Sequence, residues 1–138
     1  MSFVAGCRLD IGDSDNLTAL HLATARGHYK VAKMLLDAGV EVNRKTSDKT
    51  SALHIAASRG YIDTVEVLLD GGANIDSLDS SDRTPLFLAV SRGHEDVVAL
   101  LIKHGAKVNI EEIHGMMPFY VKLFTVHIEI NAAVFINV

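Results

Sequence analysis

A single cysteine, Cys7, stands among the 138 residues of this chain. One thiol excludes an internal disulfide framework and fits a reducing compartment. With no histidine or second cysteine near it in sequence, Cys7 offers no catalytic or redox pair. Basic excess is missing too. There are 13 Lys and Arg against 17 Asp and Glu, a formal net charge of −4. Nucleic-acid binders normally carry a clustered basic surface, so that class is set aside. Residues 1–6 lack the basic start and long apolar core of a signal peptide. The most apolar window, 116–138, is interrupted by Lys122, His127, Glu129, Asn131 and Asn137, too polar for a membrane span. The seven histidines show no close ligand pairs of the zinc type, and the ten glycines form no phosphate-binding loop. The expectation is an intracellular, cytoplasmic protein, with the nucleus left open. It should have no cofactor, no metal and no catalytic residues.

What the chain does have is a period. Thr18-Ala19-Leu20-His21, Ser51-Ala52-Leu53-His54 and Thr84-Pro85-Leu86-Phe87 superpose at a spacing of 33 residues. Gly27-His28 falls on Gly60-Tyr61 and Gly93-His94, and Gly39 falls on Gly72 and Gly105. Met34-Leu35-Leu36, Val67-Leu68-Leu69 and Leu100-Leu101-Ile102 coincide, as do Val42-Asn43, Ile75-Asp76 and Val108-Asn109. A fixed period of this length marks stacked supersecondary units that bury their apolar faces on one another. The functional question moves from catalytic groups to exposed surface.

Each unit reads as two short helices and a projecting turn. Thr18, Ser51 and Thr84 are hydroxyl residues suited to capping a helix start. The first helix that follows is rich in alanine, which has the best helix propensity and lets neighbours approach closely. Gly27, Gly60 and Gly93 end it. The second helix runs from about Tyr29, Ile62 and Glu95, with apolar residues at helical spacing, to Gly39, Gly72 and Gly105. Residues 44–50 and 77–83 are polar and turn-prone. One position in the turn holds Asn16, Asp82 and Gly115, which tolerate positive φ, and Lys49, which does so less readily. Helices this short are marginal alone, so stability must come from stacking.

The quoted motifs resemble the ankyrin repeat, an all-α solenoid of helix-turn-helix units with a projecting β-turn. The resemblance runs closely over 11–109, divided as 11–43, 44–76 and 77–109. Residues 5–10 look like the exit of an earlier unit, so 1–10 is expected to be the end of a truncated repeat. Residues 110–123 resemble the start of a degenerate fourth repeat. Beyond it, 124–138 is a non-repeat apolar tail, alternating strand-like from Phe124 to Asn131. Neither end carries the polar outer face of a terminal repeat, which suggests a slice of a longer array, or a truncated or aberrantly spliced product.

The resemblance implies a non-catalytic module that binds another protein through a concave groove and turn tips. The groove would be lined by Ala25-Arg26, Ser58-Arg59 and Ser91-Arg92. The tips would present Ser14, Asp15, Leu17, Ser47, Asp48, Thr50, Ser80, Ser81 and Arg83. Arg26, Arg59 and Arg92 share the 33-residue period, and two readings stand. They grip carboxylates or phosphates of a partner, or each pairs with an aspartate of a neighbouring turn, from among Asp13, Asp48, Asp79 and Asp82. His21 and His54, one repeat apart, read as a structural hydrogen-bonding ladder. Asn43, and less convincingly Asn109, matches a position hydroxylated in some ankyrin repeats, although a plain hydrogen-bonding turn residue is the simpler reading. Other functional readings are the recognition segment of a larger protein, such as a ubiquitin-ligase adaptor or kinase, and a spacer within a longer array. The chain is expected to be a monomer or part of a longer chain.

Overall fold

The structure, a computed structural model, describes residues 12–108. Within them lie six helices: α1 Ala19–Ala25, α2 Tyr29–Asp37, α3 Ala52–Arg59, α4 Ile62–Asp70, α5 Pro85–Ser91 and α6 Glu95–Lys103. The described residues hold no strand, and their one isolated bridge joins Lys45 to Ser51. The truncated unit expected at 1–10, Cys7, Asn109, the degenerate start expected at 110–123 and the tail expected at 124–138 lie outside the described residues.

The hydroxyl residues cap the first helices as their chemistry dictates. Thr18 Oγ1 accepts from the His21 N–H at 3.4 Å, and Ser51 Oγ from the His54 N–H at 3.2 Å. In return the Thr18 and Ser51 N–H groups donate to Nδ1 of those histidines at 3.1 and 3.2 Å, a reciprocal box with histidine in place of Glu or Gln. Thr84 caps α5 through the Phe87 N–H at 3.1 Å, with Pro85 opening the helix where no N–H is needed. Phe87 has no ring nitrogen with which to return the bond.

The helices form two layers. α3 packs between α1 and α5, and α4 between α2 and α6, while each first helix also packs on its own second helix. Alanines make the close approach: Ala52, Ala56, Ala57 and Ala89 are completely buried. Val65, Leu68, Val97 and Leu101 fill the space between the layers, also fully buried. The corner needs glycine for two reasons at Gly60. Its φ is +75°, and a Cβ there would lie 2.5 Å from Nδ1 of His94. The ring of the following unit thus rests on the corner, as the Tyr61 ring rests on Gly27.

The turns are held by their own side chains. Asp13 Oδ1 accepts from the Asp15 and Leu17 N–H groups, each at 2.9 Å, and Asp79 Oδ1 from those of Ser81 and Arg83, also at 2.9 Å. In the middle turn Thr46 Oγ1 takes this part, accepting from the Thr50 N–H at 3.2 Å. Asn16, Lys49 and Asp82 have φ of 59°, 59° and 58°, so the left-handed position is used in all three turns.

Candidate partner-binding surface

Successive units are joined by polar contacts that set the spacing of everything on the surface. Nε2 of His21 lies 2.9 Å from the Arg44 carbonyl, and Nε2 of His54 lies 2.8 Å from that of Arg83. Because Nδ1 of each ring accepts from a backbone N–H, the proton sits on Nε2, which donates to the next turn. Both rings are buried and neutral. Burial pushes their pKa below the ordinary 6.5, outweighing the carbonyls that favour a charged ring. The histidine ladder expected from the period is therefore a set of bolts between units.

Three further joints were not foreseen from sequence. The turn tips bond through backbone: the Ser47 N–H donates to the Asp15 carbonyl at 2.9 Å, and that of Ser80 to Asp48 at 3.1 Å. Asn43 Oδ1 accepts from the Asn74 N–H at 2.7 Å, and its Nδ2 donates to the Gly72 carbonyl at 3.3 Å. Asp76, its counterpart, accepts from the Lys107 N–H at 2.9 Å. Nε2 of His94 bonds the Ser58 carbonyl at 2.9 Å. A signal for the last was present in the sequence, since the ring at the corner recurs as His28, Tyr61 and His94. Asn43, the residue singled out for modification, has both amide atoms engaged as a turn residue would.

On this frame Arg26 and Arg92 are the terminal caps of α1 and α5, and Arg59 closes α3. All three side chains are exposed. None makes an ion pair or side-chain hydrogen bond with any described residue. Two of the four aspartates weighed as their partners are committed elsewhere: Asp13 to its own turn, and Asp79 to a 2.9 Å ion pair with Arg83. Among the described residues none of the three arginines pairs with a turn aspartate, and Asp13 and Asp79 fold back on the N–H groups of their own turns. Asp79 is buried. Burial alone would raise its pKa, but the Arg83 and Ser81 N–H groups and the Arg83 guanidinium prevail and hold it below the ordinary 3.8.

Arg59 and Arg92 flank an open recess of about 520 Å³ with Ser58, Tyr61 and His94, and no acidic residue lines it. Ser91 is exposed, and Ser58 and Ala25 are half-buried. At the tips Ser14, Asp15, Ser47, Asp48, Ser80 and Ser81 are exposed, whereas Leu17 and Thr50 are half-buried. Arg83 is exposed as well, with its Nε donating to Asp79 Oδ2 at 2.9 Å.

Sequence comparison bears directly on this layout. A model of ankyrin repeats in three copies matches residues 39–112, and a single ankyrin repeat model matches residues 15–47. The chain belongs to the ankyrin repeat family. No curated protein matches it. Ankyrin repeats are generally protein–protein interaction modules without catalytic activity. Among the described residues no helix is long and apolar enough to cross a membrane, and no three His, Cys, Asp or Glu cluster so as to hold a metal ion.

A second surface of the ankyrin stack is apolar. Ala19, Leu22, Val31 and Met34 line an open groove of about 490 Å³ with Arg26 and His28. Val31 is 45% exposed, while its counterparts Thr64 and Val97 are 1% and 0% exposed beneath the preceding unit. The face that units two and three bury is open in unit one.

Proposed function

We propose that this chain is a non-catalytic, intracellular protein-interaction module. It takes a segment of another protein across the ends of its first helices and the turn tips. The observation that carries this reading is the row Arg26, Arg59 and Arg92: exposed, in register, and unpaired with any described residue. Side chains that held the stack together would be engaged, as His21, His54 and Asn43 are. Fold alone does not name the partner.

Site-specific photocrosslinking tests the surface. A crosslinking residue at Ser91 or Ser80 is expected to capture a common partner from cell extract, and one at exposed Lys33 or Glu66 on the second helices is not. No capture at the first pair, or equal capture at both, overturns the reading.

The open apolar face of the first unit favours one further role, that of a spacer within a longer ankyrin array, since its shape and chemistry match a face otherwise covered by a neighbouring unit. That role is compatible with partner binding at the arginine row.

A further inference from the structure

We propose that the arginine row selects an extended acidic segment whose anionic side chains recur at every third residue. The inference rests on the groove reading above and adds the chemistry and register of the partner. Arg26, Arg59 and Arg92 occupy one position on α1, α3 and α5, and α3 packs directly against both neighbours. Packed helices stand roughly 8–10 Å apart, so the guanidinium roots recur at about that interval. An extended segment in the polyproline II conformation has three residues per turn and rises about 3.1 Å per residue, so every third side chain faces the same way and one turn matches one step of the row.

Each guanidinium is a planar fork that holds a carboxylate or a phosphate with two parallel hydrogen bonds. Nothing among the described residues competes for these forks, and the Arg59–Arg92 recess contains no carboxylate to repel an anion. The shared chemistry is an anionic oxygen on an extended chain, from Asp and Glu or from phosphoserine.

The test uses the full chain and fluorescent peptides of a Ser/Ala background. Three Glu are placed at every third, every second or every fourth position, and a parallel set carries phosphoserine. Fluorescence anisotropy at physiological salt is expected to favour the every-third peptides about tenfold over the other spacings. Replacing Arg26, Arg59 or Arg92 by Ala should weaken binding about three- to fivefold each, as exposed ion pairs do, with an unchanged melting temperature. The Glu and phosphoserine arms identify which anion source is preferred. Equal affinity for all spacings, no binding, an unaltered affinity in the arginine variants, or tighter binding of a matched oligouridylate overturns the proposal. Capture at Ser91 and Ser80 with no preference for these peptides would reject the acidic register and leave the groove reading standing, whereas failure of both removes both.

Discussion

Lys49 has a φ of 59°, a conformation its neighbours in register, Asn16 and Asp82, adopt with short polar side chains suited to it. A lysine there carries the strain of a Cβ against the following carbonyl, about 1–2 kcal/mol in the left-handed region. Lys49→Asn is therefore expected to raise stability by about 0.5–1 kcal/mol, read as a higher urea midpoint at unchanged slope. A lower midpoint would show that the lysine head contributes more than its backbone costs. Thr24 poses the opposite problem, in the core. It is fully buried and its Oγ1 has no hydrogen-bond partner, while Ala57 and Val90 hold the same place in the other units. An unsatisfied buried hydroxyl costs about 1–3 kcal/mol, so Thr24→Val, which keeps the shape, should stabilise by about 1 kcal/mol. Thermal melting checks it, and a Thr24→Val protein that melts below wild type would mean the hydroxyl is satisfied after all.

The turns and helix starts are joined by buried neutral histidines, which makes the joint between units sensitive to acid. In the unfolded chain His21 and His54 titrate near 6.5, and in the folded chain burial holds their pKa lower. Protonating Nδ1 would also set a donor against the Thr18 or Ser51 N–H. Below pH 6.5 the unfolded chain therefore binds protons that the folded chain refuses. Stability is full above that pH and falls as pH drops towards the folded pKa, by up to about 1.4 kcal/mol per pH unit for each histidine. Unfolding free energies from pH 7.5 to 5 should show this slope, and His54→Gln should lessen it; an identical slope in the variant would show that other groups set it. Helix limits were legible in the sequence because they are local: Thr18, Ser51 and Thr84 as caps, Gly60 as a stop, Tyr29, Ile62 and Glu95 as starts. The arginine row was legible through its period. The engagement of the aspartates was not. Asp13 and Asp79 are the same letter in the same turn, but four residues on stands Leu17 in one and Arg83 in the other, and only the latter makes an ion pair. The tip-to-tip bonds and the His94 contact with Ser58 join residues 32 to 36 positions apart, as the numbering of the bonds shows, and rest on stacking that no local pattern encodes.

Stability in a stack of this kind is approximately a sum of unit terms and nearest-neighbour interfaces, so one residue position counts differently in each unit. Val31, Thr64 and Val97 are equivalent by the repeat, yet only the first is exposed. Val97 is buried between the second and third units, and Val97→Ala should cost about 2 kcal/mol or more, through lost transfer energy and the cavity left behind. Val31 borders the open groove with Leu22 and Met34, and exchanging it for a charged residue removes little that folding buries. Val31→Lys combined with Met34→Lys should therefore change stability by no more than about 0.5 kcal/mol, the range of ordinary surface substitutions. Chemical denaturation of the two variants side by side decides the matter. If the double lysine variant is as damaging as Val97→Ala, the first unit's face is covered in the 138-residue chain itself. If it is neutral, the face is a free interface of the same kind as the two that the stack already uses. A neighbouring unit supplied in trans should then protect the wild type from denaturation and leave the double lysine variant unprotected, because lysines at 31 and 34 would be buried unpaired in that joint.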